Sequence, residues 1–194
     1  NPDAGPAVAP PAISATPVSA SGPFLQAWAH GALRMSRGEG ICHHEGKFYV
    51  VDTEAGVSAE GRPGEGDGAV WELDPEENTL RALFVAGSQQ VGDNIDNIAV
   101  SPRGGILLCE DGDAVVDSYG AGTRLVGLTG AGDSYAFARN NISVELEEIV
   151  GAGKHIFPDD YVASEWAGVC FDPGGDICAR AQTIRQADRL VPAG

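Results

Sequence analysis

Positive charge is what this chain lacks most. Its 12 Lys and Arg stand against 28 Asp and Glu, a formal net charge of -16. Such a surface repels phosphate backbones, so nucleic acid is not an expected partner. Cysteine is nearly as scarce: Cys42, Cys109, Cys170 and Cys178 form no CxxC pair and no His/Cys zinc spacing, which excludes a zinc framework. Cys42, Cys109 and Cys170 lie inside apolar runs and read as small buried hydrophobes, with no disulfide pairing specified. No apolar run reaches membrane-spanning length, and no signal peptide is visible. Glycine and proline, by contrast, are plentiful at 27 and 12 among 194 residues. That balance favours short strands joined by tight turns over long helices. With 43% hydrophobic residues and 21% charged, the composition is globular.

Residues 1–23, rich in Ala, Pro and Ser, read as an extended arm or linker, because repeated prolines forbid helix and central strand alike. Phe24–Arg34 suits a short helix that Gly31 weakens. Residues 24–194 then form the main domain. Strands are predicted at Gly40–His44, Lys47–Thr53, Ala69–Asp74 and Thr79–Val85, and again at Ile98–Ser101, Ile106–Cys109, Thr123–Leu128 and Ser134–Ala138. A third series opens at Trp166–Phe171. The segments ICHHEGKFYVVDT, IAVSPRGGILLCED and GVCFDPGGDICAR share one plan: an apolar run, a Gly-containing turn and a second run. Their spacing of about 60–70 residues fits four-stranded units with insertions, the size of propeller blades. The fold predicted is all-β, a β-propeller of which this chain holds about two and a half blades. A β-sandwich of the same strands is the alternative.

Acids and amides bracket the second hairpin, with Asp93, Asn94, Asp96 and Asn97 before it and Glu110 and Asp111 after it. Folding back brings Asp96 and Asn97 near Glu110 and Asp111, and clustered oxygen ligands suit a hard cation such as calcium. A carboxylate also stands before each opening strand: Glu39 in RGEGI, Asp96 in NIDNI and Glu165 in SEWAG. In a propeller these positions converge on one axis. Like charges so placed stay ionised only around a cation, or else their pKa values rise strongly.

RGEGI (Arg37–Ile41), GKFYVVDT (Gly46–Thr53), GAVWELDP (Gly68–Pro75), DNIAVSPRGGILLCEDG (Asp96–Gly112), FARN (Phe137–Asn140) and SEWAGVCFDPGG (Ser164–Gly175) occur in that order. Together they resemble the C-terminal half of the PhoX-type alkaline phosphatases. The resemblance implies a propeller of about six blades whose channel holds calcium and iron and hydrolyses phosphate monoesters, and export to the periplasm or outside the cell. Carried over by residue, Arg37 looks like a catalytic, phosphate-binding arginine. Glu39, Glu110, Glu165 and Asp96 look like metal ligands, and Asn94 and Asn97 like substrate-binding residues. Arg103 reads as a turn residue, with Arg139 and Asn140 supporting others.

The chain also departs from the family. A cysteine that joins the irons belongs to the half that is not here, and about two and a half blades cannot close a ring. Another copy, or a missing N-terminal half, is the expected partner. Ile177–Gly194 reads as a polar tail with helical character rather than a closing strand. Two other functions suit the same residues. One is a calcium-dependent lactonase of the gluconolactonase type. The other is an extracellular structural or assembly module with open blade edges and no activity. His30 and His155 have no ligand-spaced partner, His43 and His44 read as turn histidines rather than ligands, and Trp28, Trp71 and Trp166 read as packing residues.

Overall fold

The computed structural model describes residues 22–153 and 156–181. The chain divides into two units, Asn1–Arg34 and Met35–Gly194. The expected arm at 1–23, His155 and the tail beyond residue 181 lie almost entirely outside the described residues. In the first unit α1 spans Gly22–Ala29, with Phe24 and Trp28 stacked at 6.4 Å. It stops short of Arg34 because the chain turns at Gly31, where φ is 77° and the amide donates to Trp28 O. A left-handed glycine at that place is a common way to end a helix. Among the described residues no helix is long and apolar enough to cross a membrane.

Among its described residues the second unit is all-β apart from one short helix. β1 (Gly38–His44), β2 (Lys47–Asp52), β3 (Ala69–Asp74) and β4 (Thr79–Val85) form an antiparallel meander. β5 (Ile95–Val100) and β6 (Ile106–Glu110) begin a second. A small hairpin intervenes, β7 (Val116–Asp117) with β8 (Gly120–Ala121), before β9 (Arg124–Leu128) and β10 (Ser134–Arg139) complete the order β5-β6-β9-β10. β11 (Ser143–Val144) pairs with β12 (Asp159–Asp160) around α2 (Leu146–Ala152). β13 (Trp166–Phe171) pairs with β14 (Ile177–Ala181). None of these sheets closes on itself.

Period-two patterning and turn chemistry account for the strands. Glu45 and Gly46 both take positive φ, 47° and 81°, as the tight turn joining β1 to β2 demands. β6 and β9 are buried along their whole length, as central strands are. Val51, Val70 and Phe84 of the first sheet share one core cluster with Ile95, Ile106, Leu108, Val126 and Leu128 of the second.

Two expectations need correction. Residues 177–181 are not tail but β14, because the Asp172–Gly175 turn sends the chain back along β13, with Asp172 N donating to Asp176 O at 2.9 Å. Of the three cysteines expected to be buried, Cys109 is, Cys42 is half-buried and Cys170 is exposed. Cys170 sits on a two-stranded sheet that covers less of its strands than the four-stranded sheets do. The helix α2 has no counterpart in the sequence reading, although Glu145 and Glu148 form its capping box and Gly153 its left-handed C-cap.

The placement of the opening strands matters most for function. β5 packs between β1 and β13, so three strands distant in sequence lie side by side. Gly40 permits the closest approach. A Cβ there would lie 2.7 Å from Asp96 O and 3.1 Å from both Asn97 Cα and Ile98 N, all backbone atoms that cannot swing aside. Gly40→Ala should therefore push β1 off β5 and destabilise the protein by about 1–3 kcal/mol, read as a lower denaturant midpoint. An unchanged midpoint would show that the strands separate freely.

Candidate functional site

The ends of β1, β5 and β13 carry irregularities that the residue pattern does not show. Pairing slips between Gly38 and Ile41, between Ile95 and Asn97, and between Trp166 and Gly168. Glu39 and Asp96 thus sit in bulges, and Glu165 directly precedes the third. Bulges re-aim side chains at the ends of sheets, and here they do so three times in equivalent places.

The result is one acidic cluster. Asp96, Asp111 and Glu165 are half-buried and bring one carboxylate oxygen each within 4.8 Å of the others. Arg37 faces them. Its Nη2 donates to Asp111 Oδ2 at 3.4 Å, its Nε to Glu39 Oε1 at 2.8 Å, and its Nη1 lies 3.8 Å from Glu54 Oε1. The sharing of a proton with Asp111, burial and the repulsion of Asp111 and Asp96 push the Glu165 carboxyl up to about 7, against the pull of Arg37. Burial first, then Glu39 and Asp111, also raise Asp96. Upward shifts at Glu165 and Asp96 are what an acid cluster shows without a counter-ion.

Buried polar contacts hold each member in place. Asp52, at the end of β2 and 3% exposed, accepts the backbone N–H groups of Ser36 and Arg37 at 3.0 and 2.9 Å, while Thr53 N donates to Arg37 O at 2.8 Å. This fixes the backbone from which Arg37 projects. Asp111 N donates to Asn94 O at 3.1 Å and ties the end of β6 to the approach to β5. Ser164 O accepts from Thr123 Oγ1 at 2.6 Å and from the buried Asn140 Nδ2 at 3.1 Å, and Trp166 Nε1 donates to Thr123 O at 3.2 Å. Glu165 is therefore clamped on both sides.

The structure brings together Arg37, Glu39, Asp96 and Glu165 with Asp111, which the sequence placed in the acid cluster of the second hairpin but the resemblance did not name as a ligand. Glu110 stands apart. It is fully buried in an ion pair with Arg124, Nη2 to Oε1 at 2.6 Å. Asn97 follows Asp96 along β5. Asn94 takes a left-handed φ of 46°, donates weakly to Thr53 O at 3.5 Å, and lines a cleft of about 240 Å3 with Glu54, Glu65, Gly66 and Asp67. The residues left unassigned have other work. Arg103 Nη2 donates to Gly174 O at 2.7 Å, joining two equivalent turns. Arg139 pairs with Asp117, and His43 packs on Phe48 with centroids 5.0 Å apart. Burial pushes the Cys42 and Cys109 thiols up to about 11 and about 12, which removes them as thiolate donors.

The donor set is oxygen throughout, so it suits a hard cation such as calcium; iron takes imidazole and thiolate more readily. The family model of alkaline phosphatase PhoX matches residues 11–179 of the chain. No curated protein matches it.

Proposed function

Because the chain belongs to the alkaline phosphatase PhoX family, we propose that Asp96, Asp111 and Glu165 hold a divalent cation beside which Arg37 binds the phosphoryl group of a phosphate monoester. The observation that carries this reading is the meeting of three carboxylate oxygens within 4.8 Å, with an arginine donating into the group. On the same reading the four-stranded sheets are propeller blades, with β1, β5 and β13 nearest the axis. A second copy or a further segment completes the ring. Export to the periplasm or beyond the cell belongs to the same proposal, since extracellular calcium suits sites of modest affinity.

When bound, the cation would polarise the phosphoryl oxygens and offset the charge that develops as a water oxygen bonds to phosphorus and the ester's alcohol leaves. The protein's own groups do the rest. Asp96, Asp111 and Glu165 supply the ligands, and Glu165 gives up its proton as the cation enters. Glu39 holds Arg37 Nε, which leaves the terminal nitrogens turned toward Asp111 and Glu54. That end of the guanidinium fork can pair with two phosphate oxygens at once. Asp52 keeps the fork in register by fixing the arginine's backbone. Iron, which the family resemblance also implies, would draw on these same carboxylates.

The test is p-nitrophenyl phosphate turnover with calcium, after chelation, and after calcium is returned. Activity that is lost and then restored is the expected result. Turnover indifferent to chelation would overturn the reading, and hydrolysis of a sugar lactone without phosphatase activity would replace it with the lactonase.

A further inference from the structure

Glu110 and Arg124 are 0% and 3% exposed, a charged pair sealed inside the protein next to the acid cluster. Glu110 has no capacity left for a cation. Its Oε1 accepts from Asp93 N at 3.0 Å and from Arg124 Nε and Nη2 at 3.1 and 2.6 Å, and its Oε2 accepts from Arg124 N and Nε at 2.8 and 2.9 Å. A carboxylate offers about four lone-pair sites, and these contacts use them. Arg124 spends its remaining donors on the loop before β5, with Nη1 donating to Gln90 O at 3.0 Å and Nη2 to Gln89 O. The loop carrying Gln89, Gln90 and Asp93 is thus bound to the end of β6 through one ion pair. Asp96 stands just beyond that loop, and Asp111 follows Glu110 directly.

We infer that Glu110 and Arg124 are positioning residues for the cation site: they hold Asp96 and Asp111 at ligating separation and do not touch the cation themselves. This rests on the reading that the three acids take a cation. Two buried charges are costly to build, and setting the geometry of neighbouring groups is among the better-attested reasons to keep them.

The test is calcium titration calorimetry on the whole chain, for the wild type, Glu110→Gln, Arg124→Gln and the double variant. Each single substitution is expected to weaken calcium binding by about 10–100-fold, and the double to be no worse than the weaker single, because both remove one unit. Should the singles fail to fold, Glu110→Met/Arg124→Leu, which replaces the pair by apolar groups, carries the test through its calcium affinity and cooperative melting. Terbium in place of calcium, excited through the neighbouring Trp166, reports the number of coordinated waters, which is expected to match the wild type in every pair variant. Loss of affinity with an added water in Glu110→Gln, and none in Arg124→Gln, would make Glu110 a ligand and overturn the inference. Wild-type affinity in all variants would overturn it too. A wild-type chain that binds no calcium would instead remove the cation reading, and this inference with it.

Discussion

Asp111→Asn abolishes calcium binding at micromolar-to-millimolar concentrations and with it any phosphatase turnover: this is the largest functional effect expected of a single isosteric change. The amide keeps the shape of the side chain but removes the charge of the central member of the cluster. Asp111 is the first cause of the raised Glu165 carboxyl and a neighbour of Asp96, and it pairs with Arg37 at 3.4 Å. Loss of a direct ligand should exceed the roughly 10–100-fold typical of residues that only support ligands. The same substitution should lower the Glu165 carboxyl from about 7, which a carbon-13 carboxyl titration reads directly. Glu147→Gln on the first turn of α2 is the control and should change neither quantity. If Asp111→Asn bound calcium within about threefold of the wild type, below the roughly 10–100-fold loss expected even for a supporting residue, the three acids would not be the site.

The choice between Glu110 and Asp111 shows where reading the chain by pattern stops. Both follow the run ILLC, and both were visible as acids closing the second hairpin. Successive residues in a strand point to opposite faces, so a one-residue difference separates the buried side from the open one. Which is which depends on the bulge at Asp96 across the pair, and the sequence carries no mark of a bulge there. The partner that claims Glu110 was equally hidden, because Arg124 lies beyond the inserted β7–β8 hairpin and becomes a neighbour only when β9 pairs with β6. Glu39, Asp96 and Glu165 were legible for a different reason. Each stands at the start of a strand-like run, and packing three such runs side by side brings their starts to one place. The meanders were legible from alternating strands and turns such as Glu45-Gly46. The start of β14 was legible as the second run of GVCFDPGGDICAR, but its end was not, since ICARAQTIRQADRL runs on in polar residues without a break. In the pattern Asp52 is an ordinary strand end; only its burial, at 3% exposed, reveals it as the anchor for Arg37.

Stability should answer to pH and calcium in a way opposite to ordinary acid denaturation. Asp93, fully buried, is pushed up to about 6 chiefly by desolvation, while Glu165 is raised to about 7 and Asp96 upward. A carboxyl whose pKa is higher folded than unfolded binds more protons in the native state between those two values. Unfolding then becomes easier as pH rises through that window. Glu72 and Asp117 are shifted the other way by Arg81 with Lys47, and by the Tyr119 amide with Arg139. Their contribution is complete above the normal carboxylate range, so it is flat where the first group acts. The calcium-free protein should therefore lose about 1–3 kcal/mol, discounted for partial exposure, between pH 5 and pH 7.5, seen as a falling Tm. Calcium reverses this, because it replaces the protons that the cluster retains. At about a thousand times Kd it should add roughly 4 kcal/mol, or about 8–16 °C in a chain of this size. Binding near neutral pH should release protons, measurable as a buffer-dependent heat. Glu165→Gln separates the two effects, since it should flatten much of the pH slope, raise the calcium-free Tm at pH 7.5 and remove the calcium shift. A calcium-free Tm that climbed from pH 5 to 7.5 would mean that these carboxyls ionise without strain, and there would be no unbalanced charge for a cation to relieve.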